Sequence, residues 1–251
     1  MKVSIITSCY NREATIRGAI ESVLSQDYTN IEYIIIDGAS KDNSLNIINE
    51  YKDRITMIVS EPDHGMYEAI NKGIRLATGD VIGLVHSDDF LFAKDTISHI
   101  VDEFNRTGAD FIYGDGLFVD SKNINKVVRN WIGGYYRTWK VKHGWLPLHP
   151  TCYIRRNTML KCGLYNETYK IAADSDLLFR YLISGNLTVS YLKEYIIKMR
   201  MGGLSTDRAR RKQMWFEDIR MYQSHGMCPS ITKVEKMLWK VPQYIKAKFI
   251  K

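Results

Sequence analysis

The chain has 251 residues, 45% hydrophobic and 25% charged, a composition that excludes a disordered chain and fits one large domain or one domain with a small appendage. Its net charge of +7 favours anionic partners without naming one. The four cysteines, Cys9, Cys152, Cys162 and Cys228, show no Cys-x-x-Cys spacing, which argues against a zinc ribbon or a disulfide framework and predicts reduced thiols in a cytoplasmic setting.

The opening MKVSIITSCYNRE holds an apolar run too short for a signal peptide, and no apolar run of ~20 residues is present to span a bilayer. The sequence therefore predicts no export signal. Residues 3–7, 32–36, 55–59, 81–84 and 111–113 are short, β-branched or aromatic, and read as strands. Between them, residues 15–25 carry Ile16, Ala19, Ile20, Val23 and Leu24 at helical spacing, and residues 67–77 carry Ile70, Ile74 and Ala77. This alternation predicts an α/β fold with a mostly parallel central sheet flanked by helices, since each crossover deposits a helix on a face. Ligands bind beyond the carboxyl ends of such strands.

After Gly114 the pattern loosens. Residues 127–156 mix aromatic, basic, Gly and Pro residues and read as short strands and loops, and helices return at 175–184 and 207–223. Residues 233–251 carry six lysines against Glu235, a net of +5. Val234, Met237, Leu238, Val241, Ile245 and Phe249 recur there at helical spacing, and Pro242 is expected to open a second short helix. Two uses of this tail stand side by side. It lies on an anionic membrane surface through Lys233 to Lys251, or its apolar stripe packs on the rest of the domain while its lysines face water.

Polar groups gather at three strand tips: Thr7, Ser8 and Asn11 in TSCYNRE; Asp37, Ser40 and Asp42 in DGASKD; and His86, Ser87, Asp88 and Asp89 in HSDD. Turns and helix caps use the same residue types, so each tip alone carries little weight, and their coincidence carries more. A carboxylate pair at one tip suits a hard divalent cation whose other positions go to water and phosphate. No Gly-x-Gly-x-x-Gly follows the first strand and no P-loop signature occurs, which disfavours dinucleotide and P-loop enzymes. The first strand also lacks the Asp that a haloacid-type phosphatase needs.

Together, VSIITSCYNREATIRGAIESVLSQDY, YIIIDGASKDNS, EPDHGMYEAINKGIRLATGDVIGLVHSDD and ADSDLLFRYL resemble the family 2 inverting glycosyltransferases of the GT-A fold, particularly bacterial enzymes that build surface polysaccharides. The resemblance covers residues 3–206. It implies a Rossmann-like GT-A domain over 1–206, its nucleotide-binding half near 1–113 and its acceptor-binding half near 114–206, followed by a basic helical extension over 207–251. The activity it implies moves a sugar from a nucleoside-diphosphate sugar, usually UDP-linked, to a hydroxyl of a glycan or lipid-linked glycan. The implied location is cytoplasmic, peripheral at the inner face of the cell membrane, with no nucleic-acid partner.

Carried over position by position, the resemblance gives Thr7 and Asp37 contacts to the nucleobase or ribose, and puts Asp63 and Asn71 along the nucleoside side of the pocket. Ser8, Tyr10, Asn11, His86 and Ser87 complete the donor site, and Asp88, with Asp89 beside it, holds Mn2+ or Mg2+. His149 in LPLHPT touches the diphosphate or the acceptor, and Asp174 is the base, with Asp176 as the fallback. At a helix start Asp174 is expected to stay ionised and to be a weak base. In MGGLSTDRARRK, Ser205, Arg208, Arg210, Arg211 and Lys212 suit either a pyrophosphate or a solvated basic face.

Three departures stand out. His86-Ser87-Asp88 replaces the usual Asp-x-Asp, Asp37-Gly38-Ala39-Ser40 replaces Asp-Asp-Gly-Ser, and Ala173-Asp174 replaces Glu-Asp. The first leaves room for a non-catalytic sugar-nucleotide-binding or scaffold protein. A nucleotidyltransferase is the rival enzyme, but it would normally carry a Gly-rich basic loop after the first strand, and SCYNREAT is not one.

Overall fold

The computed structural model describes residues 1–203 and 209–248. In chain order these form β1 (Val3–Cys9), α1 (Ile16–Leu24), β2 (Ile31–Asp37), α2 (Ser44–Asn49), β3 (Met57–Ser60), α3 (Met66–Leu76), β4 (Val81–Leu84), β5 (Phe90–Leu91) and α4 (Thr96–Thr107). The second half holds β6 (Phe111–Val119), β7 (Val127–Trp131), α5 (Thr138–Lys142), β8 (Tyr153–Arg155), α6 (Arg156–Cys162), α7 (Ala173–Phe179), β9 (Val189–Arg200), α8 (Arg211–Ser224) and α9 (Pro229–Ala247).

Among the described residues the strands join one sheet in the order β3-β2-β1-β4-β8-β6-β9-β5, with β7 paired to β6. β1, β2, β3 and β4 are all parallel, as the alternation predicts. Beyond β4 the sheet becomes mixed, because β8 runs antiparallel to both β4 and β6 while β9 runs parallel to β6. β1 is buried along its whole length, as expected of a parallel strand covered on both faces. One apolar core, with Ile6, Ile34, Ile36 and Ile70, lies on one side, and a second, with Ile5, Ile20, Ile35 and Ile100, lies on the other.

α3 lies hard against β1. A Cβ on Gly73 would come within 2.5 Å of Ile6 Cγ2, so only glycine permits this approach. At the opposite end of the strands Glu32 faces Ser4 across the β1/β2 register. Burial pushes the Glu32 carboxyl up, but hydrogen bonds from Lys2, Ser4 and Thr78 outweigh it and pull the group down to about 2. That end of the sheet is closed by satisfied polar contacts, which leaves the carboxyl end for the site.

The C-terminal segment differs from its sequence reading at Pro242, and it rules out one of the two uses left open for the tail. Pro242 lies inside one continuous helix, α9, and opens no second helix. The apolar stripe does not pack on the domain: Ile231, Val234, Met237, Leu238, Val241 and Ile245 are 53–68% exposed. The opposite face, carrying Lys236, Trp239, Lys240 and Gln243, turns inward. Phe249 and Lys251 lie outside the described residues.

Candidate active site

A cavity of about 760 Å³ opens at the carboxyl ends of the parallel strands. Ser8, Tyr10 and Asn11 enter it from the tip of β1, and His86, Ser87, Asp88 and Asp89 from the tip of β4. Asp63, His149 and Asp174 join them from three loops or helix starts. Asn11 bends the β1 tip in the left-handed region, φ 52°, and its Oδ1 accepts from the Lys41 amide at 2.8 Å, which ties the first two strand tips together.

Four expected residues are not in this lining. Thr7 is fully buried; its hydroxyl donates to the Val85 carbonyl at 2.7 Å and meets Tyr33 Oη at 3.1 Å, so it braces the core beneath the site. Asp37 is fully buried too, and accepts from Ser40 Oγ at 2.5 Å and Ser60 Oγ at 2.6 Å. Asn71 is spent on the loop at Tyr165, where Nδ2 donates to Tyr165 O at 2.9 Å and to Glu167 Oε1 at 2.7 Å. Asp176 accepts from Arg180 Nε at 2.9 Å and meets His225 Nε2 at 3.0 Å, which leaves it no free oxygen for an acceptor hydroxyl.

The altered second motif has a compensating neighbour. A Cβ on Gly38 would meet Asp63 Oδ2 at 2.5 Å, so the Asp63 carboxylate fills the space a side chain at 38 would take. Burial, then repulsion from Glu68 and Asp37, raises Asp63 above the usual carboxylate range, and the Gly65 amide donates to its Oδ1 at 2.9 Å. Ala39, at φ 57°, is held in a left-handed conformation that suits glycine better.

The two carboxylates at the β4 tip differ. Asp89 is 2% exposed, its Oδ1 accepts from the Arg200 amide at 3.1 Å, and its Oδ2 is buried without a partner. Burial and the adjacent Asp88 raise it well above the usual range. An orphaned carboxylate oxygen beside a second acid fits a hard cation. Among the described residues no group of three His, Cys, Asp or Glu side chains converges, so these residues supply at most this pair. His86 is pushed down by burial against the pull of Asp88, and its ring stacks on His149 at 6.1 Å. His149 is pushed down to about 3 by burial and by His86, and its Nε2 meets Tyr165 Oη at 2.7 Å. It is neutral at physiological pH and brings no charge to a diphosphate.

Asp174 opens α7. Burial, reinforced by Asp218, raises its carboxyl against the pull of the Ser175 amide, 2.7 Å from Oδ1, and of Lys236. The helix start therefore does not pull this carboxyl down: desolvation outweighs it. The turn before it is clamped from α8, where Glu217 Oε2 accepts from the amides of Lys170, Ile171 and Ala172 at 3.0, 2.7 and 3.0 Å. Asp218, one residue on, meets Lys233 and Lys236 at 3.6 Å each.

Sequence reasoning missed Arg129, Asp218, Lys236, Lys240 and Gln243, which line the same cavity. The spacing of Lys233, Lys236, Lys240 and Gln243 is itself helical, so a polar inward face was open to reading beside the apolar one. Of the basic cluster, Arg210 borders the cavity and Arg211 and Lys212 are exposed, while Ser205 and Arg208 lie outside the described residues.

The profile of Glycosyl transferase family 2 matches residues 4–167, and the chain belongs to this family, a class of glycosyltransferases. It is 28% identical over 207 residues to a PGL/p-HBAD biosynthesis glycosyltransferase of Mycobacterium tuberculosis, covering 80% of this chain and 78% of that protein. An uncharacterized glycosyltransferase of Rickettsia typhi is 29% identical over 245 residues, covering 95% of this chain and 75% of the relative. Among solved structures, S. aureus TarS in complex with UDP matches with a TM-score of 0.70 at 18% identity, over 95% of this chain and 70% of that one. The fuller TarS chain is matched over 39% of its length. A mannosyltransferase from Pyrobaculum calidifontis in complex with GDP-Man and Mn2+ matches at 0.67 and 16%, over 98% of this chain and 73% of the other. At these identities the structural matches establish the GT-A fold alone.

Proposed function

We propose that this chain is an inverting glycosyltransferase that moves a sugar from a nucleoside diphosphate, UDP in the first instance, to an acceptor hydroxyl on a lipid-linked glycan in surface polysaccharide assembly. The observation that carries the reading is the sharing of one cavity by Asp88 and Asp174, the first at a strand tip and the second at the start of α7. Complexes of similarly folded proteins with UDP and with GDP-Man and Mn2+ support a nucleotide-sugar donor.

In this reading Ser8, Tyr10, Asn11 and Asp63 line the nucleoside end. Asp88, with Asp89, would hold Mn2+ or Mg2+, which supplies positive charge to the departing diphosphate. Asp174 takes the proton from the acceptor hydroxyl as that oxygen bonds to the anomeric carbon on the face opposite the departing group. The bond from that carbon to the diphosphate oxygen breaks, and its electron pair leaves with the nucleotide. His149 walls the cavity as a neutral group, held from behind by the buried Tyr165, and excludes water.

No helix among the described residues is long and apolar enough to cross a membrane. The exposed apolar face of α9, with Lys246 and Lys248 exposed at its end, suits a helix lying in the plane of a lipid surface, near a lipid-linked acceptor. The deciding experiment is a thermal-shift panel of nucleotide sugars with and without Mn2+ on the native protein and Asp88→Ala. Metal-dependent stabilisation by one nucleotide, lost in the variant, is the expected result. No stabilisation by any nucleotide would overturn the reading.

A further inference from the structure

The end of the cavity walled by β7 and α9 holds more positive charge than its neighbours neutralise. Arg129 on β7 is only 7% exposed, yet it lines the cavity. Its Nε donates to Gln243 Oε1 at 2.7 Å, while its Nη2 is buried with no hydrogen-bond partner. The guanidinium lies 4.3 Å from the Trp131 ring centre, 5.0 Å from Phe118 and 5.3 Å from Tyr244. Those rings hold it in place, and Nη2 finds no acceptor among them. A buried N–H on a cation is expensive to leave unmatched, and such groups persist where a ligand completes them.

Lys240, one turn before Gln243 on α9, lines the same end. Burial, then repulsion from Lys236 and Arg129, pushes its ammonium down to about 8. Asp218 is the carboxylate facing this group, and it is shared by Lys233 and Lys236. Among the described residues no carboxylate lies at ion-pair distance from Arg129 or Lys240. A fixed guanidinium with a spare N–H, an unpaired ammonium and an amide on one cavity wall make a seat for a compact anion with several acceptor oxygens.

We propose that Arg129, Lys240 and Gln243 form an anion subsite that seats a phosphate group carried by the acceptor, distinct from the diphosphate of the donor. The side of the cavity makes this assignment. Lys236 lies one turn before Lys240 on α9 and 3.6 Å from Asp218, all of them line the cavity with Asp174, and Lys236 feels the charge of Asp174, so the seat adjoins the base, and the base must face the acceptor. The nucleoside end, at Ser8 to Asn11 and Asp63, belongs to the β1 tip and the loop before α3. The assignment to the acceptor thus rests on the glycosyl-transfer reading, whereas the anion seat itself does not.

The test is calorimetric titration of phenyl phosphate into the full chain saturated with whichever of UDP or GDP binds, in Mg2+, with benzyl alcohol as the neutral control. The native protein is expected to bind phenyl phosphate but not benzyl alcohol. Lys240→Gln and Arg129→Gln are each expected to weaken phenyl phosphate by about tenfold or more, the worth of a charge-assisted contact, and to leave nucleotide affinity unchanged. If Arg129→Gln does not fold, the cavity-wall variant Lys240→Gln carries the test. Absence of phenyl phosphate binding, or equal binding by Lys240→Gln, would overturn the subsite. A parallel loss of nucleotide affinity in Lys240→Gln would give the cations to the donor and overturn the acceptor assignment. If neither nucleotide binds while phenyl phosphate still binds and still depends on Lys240, the seat stands and the donor reading falls.

Discussion

Asn71 closes on both sides of the Tyr165 peptide unit, donating from Nδ2 to its carbonyl at 2.9 Å and accepting at Oδ1 from its amide at 3.0 Å. A side chain that replaces backbone pairing in this way fixes a loop that has no strand to lean on. Tyr165 in turn meets His149, so Asn71 acts on the cavity wall at one remove.

Asn71→Ala is expected to strip both partners at Tyr165 while burying their polar atoms. Each unsatisfied buried group costs about 1–3 kcal/mol, so a loss of that order or somewhat more should appear in urea denaturation. Nucleotide affinity of the folded variant should be unchanged. A large loss of nucleotide binding without loss of stability would return Asn71 to the donor pocket.

Asp174→Asn should fold like the native chain and lose ~10²–10⁴-fold in turnover, the usual worth of a general base. Because burial raises the folded group, it stays protonated above the ordinary aspartate value of ~3.9, and the rate should climb with pH through a midpoint on the higher side of that value. A pH profile already flat above ~4, or native turnover in the asparagine variant, would move the role elsewhere.

Ala39→Gly should stabilise the chain. The left-handed conformation at φ 57° costs an L-residue roughly 1–2 kcal/mol, and the added freedom of glycine in the unfolded chain returns part of that. A net gain of about 0.5–1 kcal/mol is expected in thermal or chemical unfolding, and a destabilised variant would contradict the strain.

The membrane reading puts its weight on apolar side chains. Each fully buried Leu or Ile contributes roughly 1.5–3 kcal/mol, so Leu238→Asp with Ile245→Asp should release the protein from phosphatidylglycerol-containing liposomes in sedimentation without affecting folding. Both positions are more than half exposed. Native protein that fails to sediment with any liposome composition would remove the proposal.

The parallel half of the fold was legible because its strands and helices differ in period and each ends in recognisable polar residues. β4 runs over Val81–Leu84 as its apolar run implies, and Asp88 and Asp89 stand at its tip. Periodicity could not say which way a tip residue points. Thr7 and Ser8 are neighbours, yet alternation along β1 sends the first into the core and only the second to the cavity. Asp37 was lost to two serines, one of them 23 residues away, a pairing that sequence spacing does not disclose. In α9 the sequence left two uses for the apolar stripe, and only its exposure in the fold rules out packing on the domain.

The family match ends at residue 167, while Asp174, the Glu217 clamp and the lysines of α9 all lie beyond it. The part that the profile matches thus holds the parallel strand tips, and the segment beyond it supplies the opposite wall of the same cavity. A cavity built this way has a floor from the first half of the chain and a roof from the last, so shifting α8 and α9 would alter its mouth without moving the strand tips.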